Sequence, residues 1–264
     1  MKMLITGASG FLGSRVARLA VAAGYRVTGC YATSPADVPG AEWRRLDILD
    51  EAAVAAVMAE VRPDAVVHTA FVQSSWPVIV DGTASVAKAC GPSRLVHVSS
   101  DAVFGGRAEA YTEKDLPSPV NPYGAAKAAA EAVVRALRPE AAIVRNSLII
   151  GDGDSSHERV IRSVAAGQGI LFTEELRSPI HVTDLTAAVL ELATMDYSGV
   201  LNVAGPEAMS RYELGVALAP RLGIDPAALK GGPAPFACPG EVVLDTSRAR
   251  ALLRTRLRGV SELV

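Results

Sequence analysis

The sequence predicts an α/β fold with a doubly wound parallel sheet, and two patterns carry this prediction. Short apolar runs alternate with apolar residues at helical spacing from the amino end onward. Several of these runs are largely apolar, without the alternation of a one-sided strand, as in strands buried on both faces of a parallel sheet. The alternation also predicts right-handed crossovers between strands. The predicted strands are residues 2–6, 26–31, 42–48, 64–70, 93–101, 141–144 and 199–204.

A glycine-rich turn joins the first strand to the first helix. Gly7, Gly10 and Gly13 are spaced so that the backbone can turn tightly, approach a pyrophosphate and pack the helix against the strand. The amides at the start of the helix would then point at the anion. A glycine-rich turn without a ligand is the alternative. The position of the turn between strand and helix favours a dinucleotide.

The second strand ends where a dinucleotide-binding fold contacts the adenosine ribose. An acidic residue there accepts from the 2′-hydroxyl of NAD, but this chain has no carboxylate in the segment until Asp37. Thr33 and Ser34 could instead donate to a 2′-phosphate, assisted by Arg15 or Arg44. This pattern favours NADP(H) over NAD(H). Hydroxyls of a surface turn without a ligand are the alternative.

The next elements continue the alternation. Asp47 and Ile48 end the third strand, near the expected position of adenine. Asp50 can cap the following helix, with Glu51 in its first turn. The helix after the fourth strand is predicted over residues 80–90.

A phenol and an ammonium are brought together by the helix predicted from Asn121 to Leu137. Tyr123 and Lys127 lie four residues apart, on one helical face. A free phenol has a pKa of about 10, and a nearby cation stabilises its phenolate. Tyr123 could then serve as a general acid or base. The structural alternative is a packed tyrosine beside a solvated lysine.

Polar residues follow the fifth strand, at Ser99, Ser100 and Asp101. Residues at the carboxyl ends of parallel strands face the ligand crevice of such sheets. Ser100 could donate to a carbonyl oxygen of a substrate. Ser99 capping a turn is the structural alternative for this dipeptide.

Composition and spacing exclude several classes of function. The net charge of −2 disfavours a nucleic-acid binder that works through a broad basic surface. The three cysteines are far apart and the four histidines show no metal-binding spacing, so we expect neither a disulfide framework nor a metal site. The amino end lacks a signal-peptide apolar region, and no apolar run is long enough to span a membrane. We expect a cytoplasmic protein with a small-molecule substrate.

The alternation weakens after residue 150. We therefore predict a NAD(P)-binding Rossmann domain over residues 1–150 and a small substrate-binding lobe over residues 151–264, with some segments of the lobe returning to the sheet.

Three motifs in order, TGASGFLG, SSDAVFGG and YGAAK, resemble the extended, sugar-nucleotide-acting branch of the short-chain dehydrogenase/reductase superfamily. Within that branch the chain is similar to the dTDP-4-dehydrorhamnose reductase family, and LDTSRARALL looks like that family's carboxyl-terminal motif. The resemblance covers nearly the whole chain. It implies hydride transfer from a nicotinamide to the ketone of a nucleotide-linked 4-keto-6-deoxysugar. It also implies a homodimer, because many relatives dimerise.

The resemblance assigns roles to individual residues. Ser100, Tyr123 and Lys127 would form the catalytic triad: Ser100 polarises the ketone, Tyr123 protonates the developing alkoxide, and Lys127 orients the ribose and lowers the pKa of the phenol. The predicted cofactor-binding residues are Gly7, Ser9, Gly10, Phe11, Leu12, Gly13, Thr33, Ser34, Asp47, Ile48, Thr69, Ala70, Phe71 and Lys127. The predicted substrate contacts are Ser100, Val103, Phe104, Asn146 and Ser147.

Three departures leave the substrate open. Ile79, Leu148 and the segment from Cys238 to Gly240 replace residues that are common in relatives. A different sugar, a different nucleotide or a non-sugar ketone would fit these changes. The same triad also serves NAD-dependent epimerases and dehydratases of sugar nucleotides. A non-catalytic NADP-binding regulatory protein is the alternative from another class.

Overall fold

The computed structural model describes residues 1–235 and 238–264. The strands are β1 (Lys2–Thr6), β2 (Arg26–Tyr31), β3 (Glu42–Arg45), β4 (Ala65–His68), β5 (Arg94–Val98), β6 (Ala142–Arg145), β7 (Ile149–Ile150), β8 (Leu171–Phe172), β9 (Leu176–Arg177), β10 (Ile180–His181), β11 (Gly199–Asn202), β12 (Met209–Ser210) and β13 (Gly231–Gly232). The helices are α1 (Phe11–Ala22), α2 (Glu51–Val61), α3 (Trp76–Ala89), α4 (Pro122–Leu137), α5 (Ser156–Ala165), α6 (Val182–Leu192), α7 (Arg211–Leu218) and α8 (Ser247–Leu252).

Seven strands form one parallel sheet in the order β11-β6-β5-β4-β1-β2-β3. The chain builds outward from β1 to β3 and then returns to β4 and the strands beyond it. This order confirms the predicted doubly wound α/β fold. The direction of winding reverses between β1 and β4, and sheets of this kind bind ligands at the carboxyl ends of the strands at such a point.

Contact clustering divides the chain into two compact units. Unit 1 comprises residues 1–100, 122–144 and 186–201. Strands β1, β2, β4 and β5 lie in it, and their buried faces contribute Leu4, Cys30, Val66 and Leu95 to one apolar cluster. These strands are buried at almost every position because helices cover both faces of the sheet.

Unit 2 comprises residues 101–121, 145–185 and 202–264. Its strands are two residues long and form the two-stranded pairs β7–β10, β9–β12 and β8–β13. Its apolar cluster includes Ile150, Ile161, Leu171 and Leu214, which come from β7, α5, β8 and α7. Packing between these short elements therefore builds the unit.

Helix starts follow the side-chain caps. Asp50 accepts a hydrogen bond from the Ala53 amide at 2.9 Å, which confirms its predicted role at the start of α2. The predicted start of α3 at residue 80 is wrong, because the helix begins at Trp76. Ser75 caps it by accepting from the Val78 amide, and a proline in the first turn suits the position.

Candidate active site

The turn after β1 leaves no room for a side chain at Gly7 or at Gly13. Gly7 has a φ of +67°, and a Cβ atom on it would lie 2.6 Å from the Ala70 Cα. A Cβ on Gly13 would lie 2.3 Å from the Gly7 carbonyl oxygen and 2.7 Å from Thr69 Oγ1. The backbone of the turn, the first helix and the end of β4 therefore pack in direct contact. A pyrophosphate can approach such a surface closely.

Helix α1 begins at this turn without a side-chain cap. Its N-cap is Gly10, which has no side chain, and no acidic residue lies in the first turn. Ser9 is exposed and Phe11 half-buried, while Leu12 is buried. The amides of the first turn have no intrahelical partner, as in every α-helix. This arrangement of amides fits an anionic ligand.

Tyr123 and Lys127 lie in the first two turns of α4. The Phe71 ring is 6.1 Å from the Tyr123 ring and 5.1 Å from Lys127 Nζ, measured to the ring centroid of Phe71. Lys127 is buried, and its ammonium donates to the Val98 carbonyl at 3.0 Å. Ser100 is half-buried and follows Val98 by two residues. The structure thus brings Tyr123, Lys127 and Phe71 together beside the end of β5.

Burial changes the acidity of the lysine. It lowers the pKa of Lys127 to about 8, and the carboxylate of Glu131 opposes this effect. The side chain still carries its proton for most of the time near neutral pH. This charge lies one helical turn after Tyr123, on the same face of α4.

Lys127 belongs to a group of buried polar side chains between the sheet and helices α3 and α4. We call this group the buried polar layer, and it consists of His68, His97, Ser99, Lys127 and Glu131. The rings of His68 and His97 stack, with centroids 5.3 Å apart. Sequence analysis did not assign His68, His97 or Glu131 to the site, because each is a single polar residue within an otherwise apolar stretch.

The hydrogen bonds of His68 define its tautomer. Thr83 donates its hydroxyl proton to the Ile79 carbonyl, so it accepts from His68 Nε2 at 3.0 Å. Nδ1 then accepts from the Thr6 hydroxyl at 2.6 Å. Burial, with Lys127 as a second cause, lowers the pKa of His68 to about 3, so the ring is neutral. The imidazole therefore ties β1, β4 and α3 together.

His97 differs from its neighbour. Neither ring nitrogen has a hydrogen-bond partner within the described residues, although the side chain is fully buried. Burial and the nearby His68 and Lys127 hold its pKa well below the ordinary value. A buried imidazole of this kind destabilises the folded state.

The ribose end of the predicted cofactor site lies after β2. Thr33 and Ser34 are exposed. Arg44, which the sequence indicated as an assisting cation, pairs with Glu60 at 2.9 Å. Arg45 instead reaches this segment, because its Nε donates to the Ala32 carbonyl at 3.3 Å. Sequence analysis missed Arg45, since only the parallel pairing of β2 with β3 sets Arg45 beside the end of β2.

The other candidate arginine is Arg15, and the predicted adenine contacts are Asp47 and Ile48. Arg15 donates to the Phe11 carbonyl and covers the Phe11 ring at 3.8 Å, beside the glycine turn. Asp47 is exposed, and its carboxylate accepts from the Leu49 amide. Ile48 is buried against Gly82, where a Cβ would lie 2.5 Å from Ile48 Cδ1. A ligand would therefore reach Asp47 more readily than Ile48.

The predicted substrate contacts of unit 2 are buried. Val103 and Phe104 are fully buried, so a ligand can reach neither residue in this conformation. Ser147 donates to the Asp101 carboxylate at 2.6 Å, and Asn146 donates to the Ser147 carbonyl. The contacts of these four residues with a substrate stay predictions.

The part of the chain that the structure describes lacks two further features, a metal-binding cluster and a membrane-spanning helix. It holds no group of three or more His, Cys, Asp or Glu side chains that could bind a metal ion. None of its helices has the length and apolar character needed to cross a membrane.

A doubly wound parallel sheet with a closely packed glycine turn after β1 defines a Rossmann-type nucleotide-binding protein, and the motifs place it among the extended short-chain dehydrogenases/reductases. The family model described as the RmlD substrate binding domain matches residues 1–263. The chain belongs to this family. The protein is accordingly an oxidoreductase that uses a nicotinamide cofactor, as the resemblance of the motifs implied.

Named relatives cover most of this chain. A probable low-salt glycan biosynthesis reductase of Haloferax volcanii is 31% identical over 85% of this chain and 81% of the relative. The dTDP-4-dehydrorhamnose reductase of Mycolicibacterium smegmatis is 30% identical over 97% of this chain and 82% of the relative. The methionine adenosyltransferase 2 subunit beta of Xenopus laevis is 29% identical over 83% of this chain and 71% of the relative.

Solved structures share the fold over the full length. A hypothetical dTDP-4-dehydrorhamnose reductase from Sulfolobus tokodaii superposes with a TM-score of 0.84 at 29% identity, covering 98% of this chain and 97% of the other. MoeE5 in complex with UDP-glucose and NAD superposes with a TM-score of 0.84 at 25% identity, covering 99% and 96%.

Proposed function

We propose that the protein reduces the ketone of a nucleotide-linked 4-keto-6-deoxysugar, with Tyr123 as the proton donor and NADPH as the preferred reductant. The observation that carries the proposal is the buried ammonium of Lys127, one helical turn after Tyr123. The names of two relatives, both reductases, support the reaction. The UDP-glucose held by MoeE5 supports a sugar nucleotide as substrate.

The residues fit a bound dinucleotide. Any Cβ on Gly7 or Gly13 would overlap backbone atoms, so the turn offers a bare peptide surface and the uncapped amides of α1 to a pyrophosphate. When bound, the nicotinamide supplies the hydride. Lys127 would hold the ribose hydroxyls, because its ammonium has three donors and gives one of them to Val98.

The proton transfer follows from the same geometry. Ser100 would donate to the ketone oxygen, which makes the carbonyl carbon more electrophilic. As hydride reaches that carbon, negative charge develops on the oxygen, and the Tyr123 hydroxyl gives its proton there. The Lys127 cation stabilises the resulting phenolate. The reaction thus ends with an alcohol and a tyrosinate that solvent reprotonates.

The preference for NADPH rests on the segment after β2. Thr33 and Ser34 supply hydroxyl donors, and Arg45 supplies a cation that donates to the Ala32 carbonyl. A guanidinium and two hydroxyls suit the dianionic charge of a 2′-phosphate. The ion pair of Arg44 with Glu60 leaves Arg45 as the better assisting group.

Replacing Tyr123 by Phe tests the assigned acid. We expect kcat to fall by a factor of about 10² to 10⁴, with cofactor affinity retained, because only the transferable proton is removed. The measurement is NADPH oxidation with a dTDP-linked 4-keto-6-deoxysugar. Tyr25→Phe is the matched control, since Tyr25 precedes β2 at the amino end of the sheet. Turnover close to wild type in Tyr123→Phe would show that another group donates the proton.

Two alternatives have support from particular relatives. The NAD in the MoeE5 complex favours an NAD-dependent epimerase or dehydratase, which would recycle its cofactor within each turnover. Stoichiometric consumption of added NADPH counts against it. The second alternative is a non-catalytic NADP-binding regulatory protein, and one relative, methionine adenosyltransferase 2 subunit beta, is named as a subunit of another enzyme. Cofactor binding without turnover of any keto sugar, together with co-purification of another enzyme, would support that role.

A further inference from the structure

Glu131 is a fully buried carboxylate on the same helix as the proposed catalytic pair. It follows Lys127 by four residues in α4, and both side chains are buried. Residues four apart in a helix are neighbours on one face. Removing a carboxylate from water costs several kcal/mol unless partners compensate for the loss. Its partners therefore indicate why the fold retains a charge at this position.

The carboxylate is held by groups from two elements. Oε1 accepts from the Ser99 hydroxyl at 2.6 Å, at the end of β5. Oε2 accepts from the Arg135 guanidinium at 2.7 Å, one turn further along α4. Arg135 is about half exposed, so the pair connects the interior with the surface. Glu131 thus lies between two cations on the helix and contacts the residue that precedes Ser100.

Among the described residues around Lys127, Glu131 alone supplies a negative charge. Strand β4 contributes His68 and β5 contributes His97, and burial keeps both imidazoles neutral. Helix α3 contributes the Thr83 hydroxyl, which is engaged with His68. Tyr123 lies one turn before Lys127 on α4 itself. Burial disfavours the ammonium, and the charge of Glu131 acts in the opposite direction.

We propose that Glu131 is a positioning residue for the Ser100, Tyr123 and Lys127 set, acting as the buried counter-charge of the Lys127 ammonium and as the anchor of the Ser99 hydroxyl. The inference deepens the proposed function and rests on the role given there to Lys127. One carboxylate thereby keeps the lysine charged and fixes the strand end that carries Ser100. Arg135 neutralises the second oxygen of Glu131 from the surface side.

A titration of Lys127 tests the inference without substrate or cofactor. The chain has five lysines, Lys2, Lys88, Lys114, Lys127 and Lys230, so lysine labelled with ¹³C at Cε gives few NMR signals, and Lys127→Arg identifies the one of interest. We expect a midpoint near pH 8 in the wild-type protein. In Glu131→Gln, which keeps the shape and removes the charge, the midpoint should fall by about 1 pH unit. In Glu131→Asp, which keeps the charge, the midpoint should return most of the way to the wild-type value.

Arg135→Gln is the second variant, at a half-exposed position that tolerates replacement. Loss of the guanidinium leaves the charge of Glu131 less neutralised, so the Lys127 midpoint should rise. If Glu131→Gln fails to fold, Arg135→Gln decides the question, and an unchanged or lower midpoint in it overturns the inference. A folded Glu131→Gln with the wild-type midpoint overturns it as well.

The test separates this inference from the proposed reaction. If the protein reduces no keto sugar and the two variants still shift the midpoint in opposite directions, the proposed function fails and the role of Glu131 stands. If turnover is found and neither variant moves the midpoint, the reaction stands and Glu131 serves only to tie Ser99 to α4.

Discussion

The glycine turn (Gly7–Gly13) and the buried polar layer lie in the same unit but differ in what forms them. The turn depends on glycines that lack side chains, whereas the layer is made of polar side chains. The turn has no room for a side chain at Gly7 or Gly13, because these residues pack against the backbone of the turn and against the residues that follow β4. In the polar layer, hydrogen bonds hold the side chains of His68, Ser99, Lys127 and Glu131, whereas the ring nitrogens of His97 have no partner among the described residues. A steric change should therefore damage the turn, whereas the layer should respond to changes of charge and pH.

The largest effect should come from the buried ammonium. Burial holds the folded pKa of Lys127 at about 8, below its ordinary value of 10.5. Between these values the unfolded chain binds more protons, so this group makes the free energy of unfolding rise with pH. The destabilising cost of the ammonium is fully present below pH 8 and disappears towards pH 10.5, a change of about 3 kcal/mol.

Urea unfolding over this pH range, compared between the wild type and Lys127→Met, measures that cost. The other titrating groups are common to both proteins, so their difference isolates Lys127. We expect the difference between the two free energies of unfolding to change by about 3 kcal/mol as the pH rises. Parallel curves would mean that the folded state leaves the pKa of Lys127 at its ordinary value, as for a hydrated ammonium.

An added side chain should destabilise the glycine turn, because its atoms would overlap with the backbone. A Cβ in Gly13→Ala would meet the Gly7 carbonyl oxygen, and two backbone segments would have to move. We expect a loss of about 2 kcal/mol in the free energy of unfolding and a loss of about 100-fold in NADPH affinity. Calorimetric titration with NADPH measures the second effect. In Gly10→Ala the closest approach would be 3.2 Å, to the Gly7 carbonyl oxygen, so that variant needs a smaller shift and should lose less stability than Gly13→Ala.

The two stacked histidines offer a comparison within the polar layer. His68→Leu removes the partner of two buried hydroxyls, Thr6 and Thr83, and should destabilise the fold by about 2 kcal/mol. His97→Leu removes a ring that has no partner among the described residues, and should stabilise the fold by about 1 kcal/mol. Thermal and urea unfolding measure both variants. Equal losses in the two would show that an ordered water satisfies His97.

The sequence predicts the turn well and the polar layer poorly, for a physical reason. The chemistry of the turn depends on residues that are adjacent in the chain, so the spacing of Gly7, Gly10 and Gly13 is enough to predict the β1–α1 turn. The layer depends on register, because His68 and His97 become neighbours only through the pairing of β4 with β5. The two-residue strands of unit 2 show no periodicity at all, so they could not be predicted.

Replacement of Arg45 should give the smallest effect. It tests the same contrast, between residues placed by strand pairing and residues placed by their position in the sequence, at the ribose end of the cofactor site. The place of Arg45 beside the end of β2 follows from strand pairing, while Thr33 and Ser34 follow from position in the sequence. Arg45→Ala should weaken NADPH binding by about tenfold, because one charge-assisted hydrogen bond is lost. NADH has no 2′-phosphate, so its affinity should stay unchanged.

Parallel calorimetric titrations with NADPH and NADH measure the ratio of the two affinities. Arg44→Ala is the matched control. Arg44 is the neighbouring arginine of β3 but is paired with Glu60, so its loss should affect both cofactors equally. If Arg45→Ala weakens both cofactors alike, Arg45 supports the turn and does not contact the phosphate. If the wild type prefers NADH, the segment from Ala32 to Ser34 does not bind a phosphate, and the NAD-dependent epimerase or dehydratase gains support.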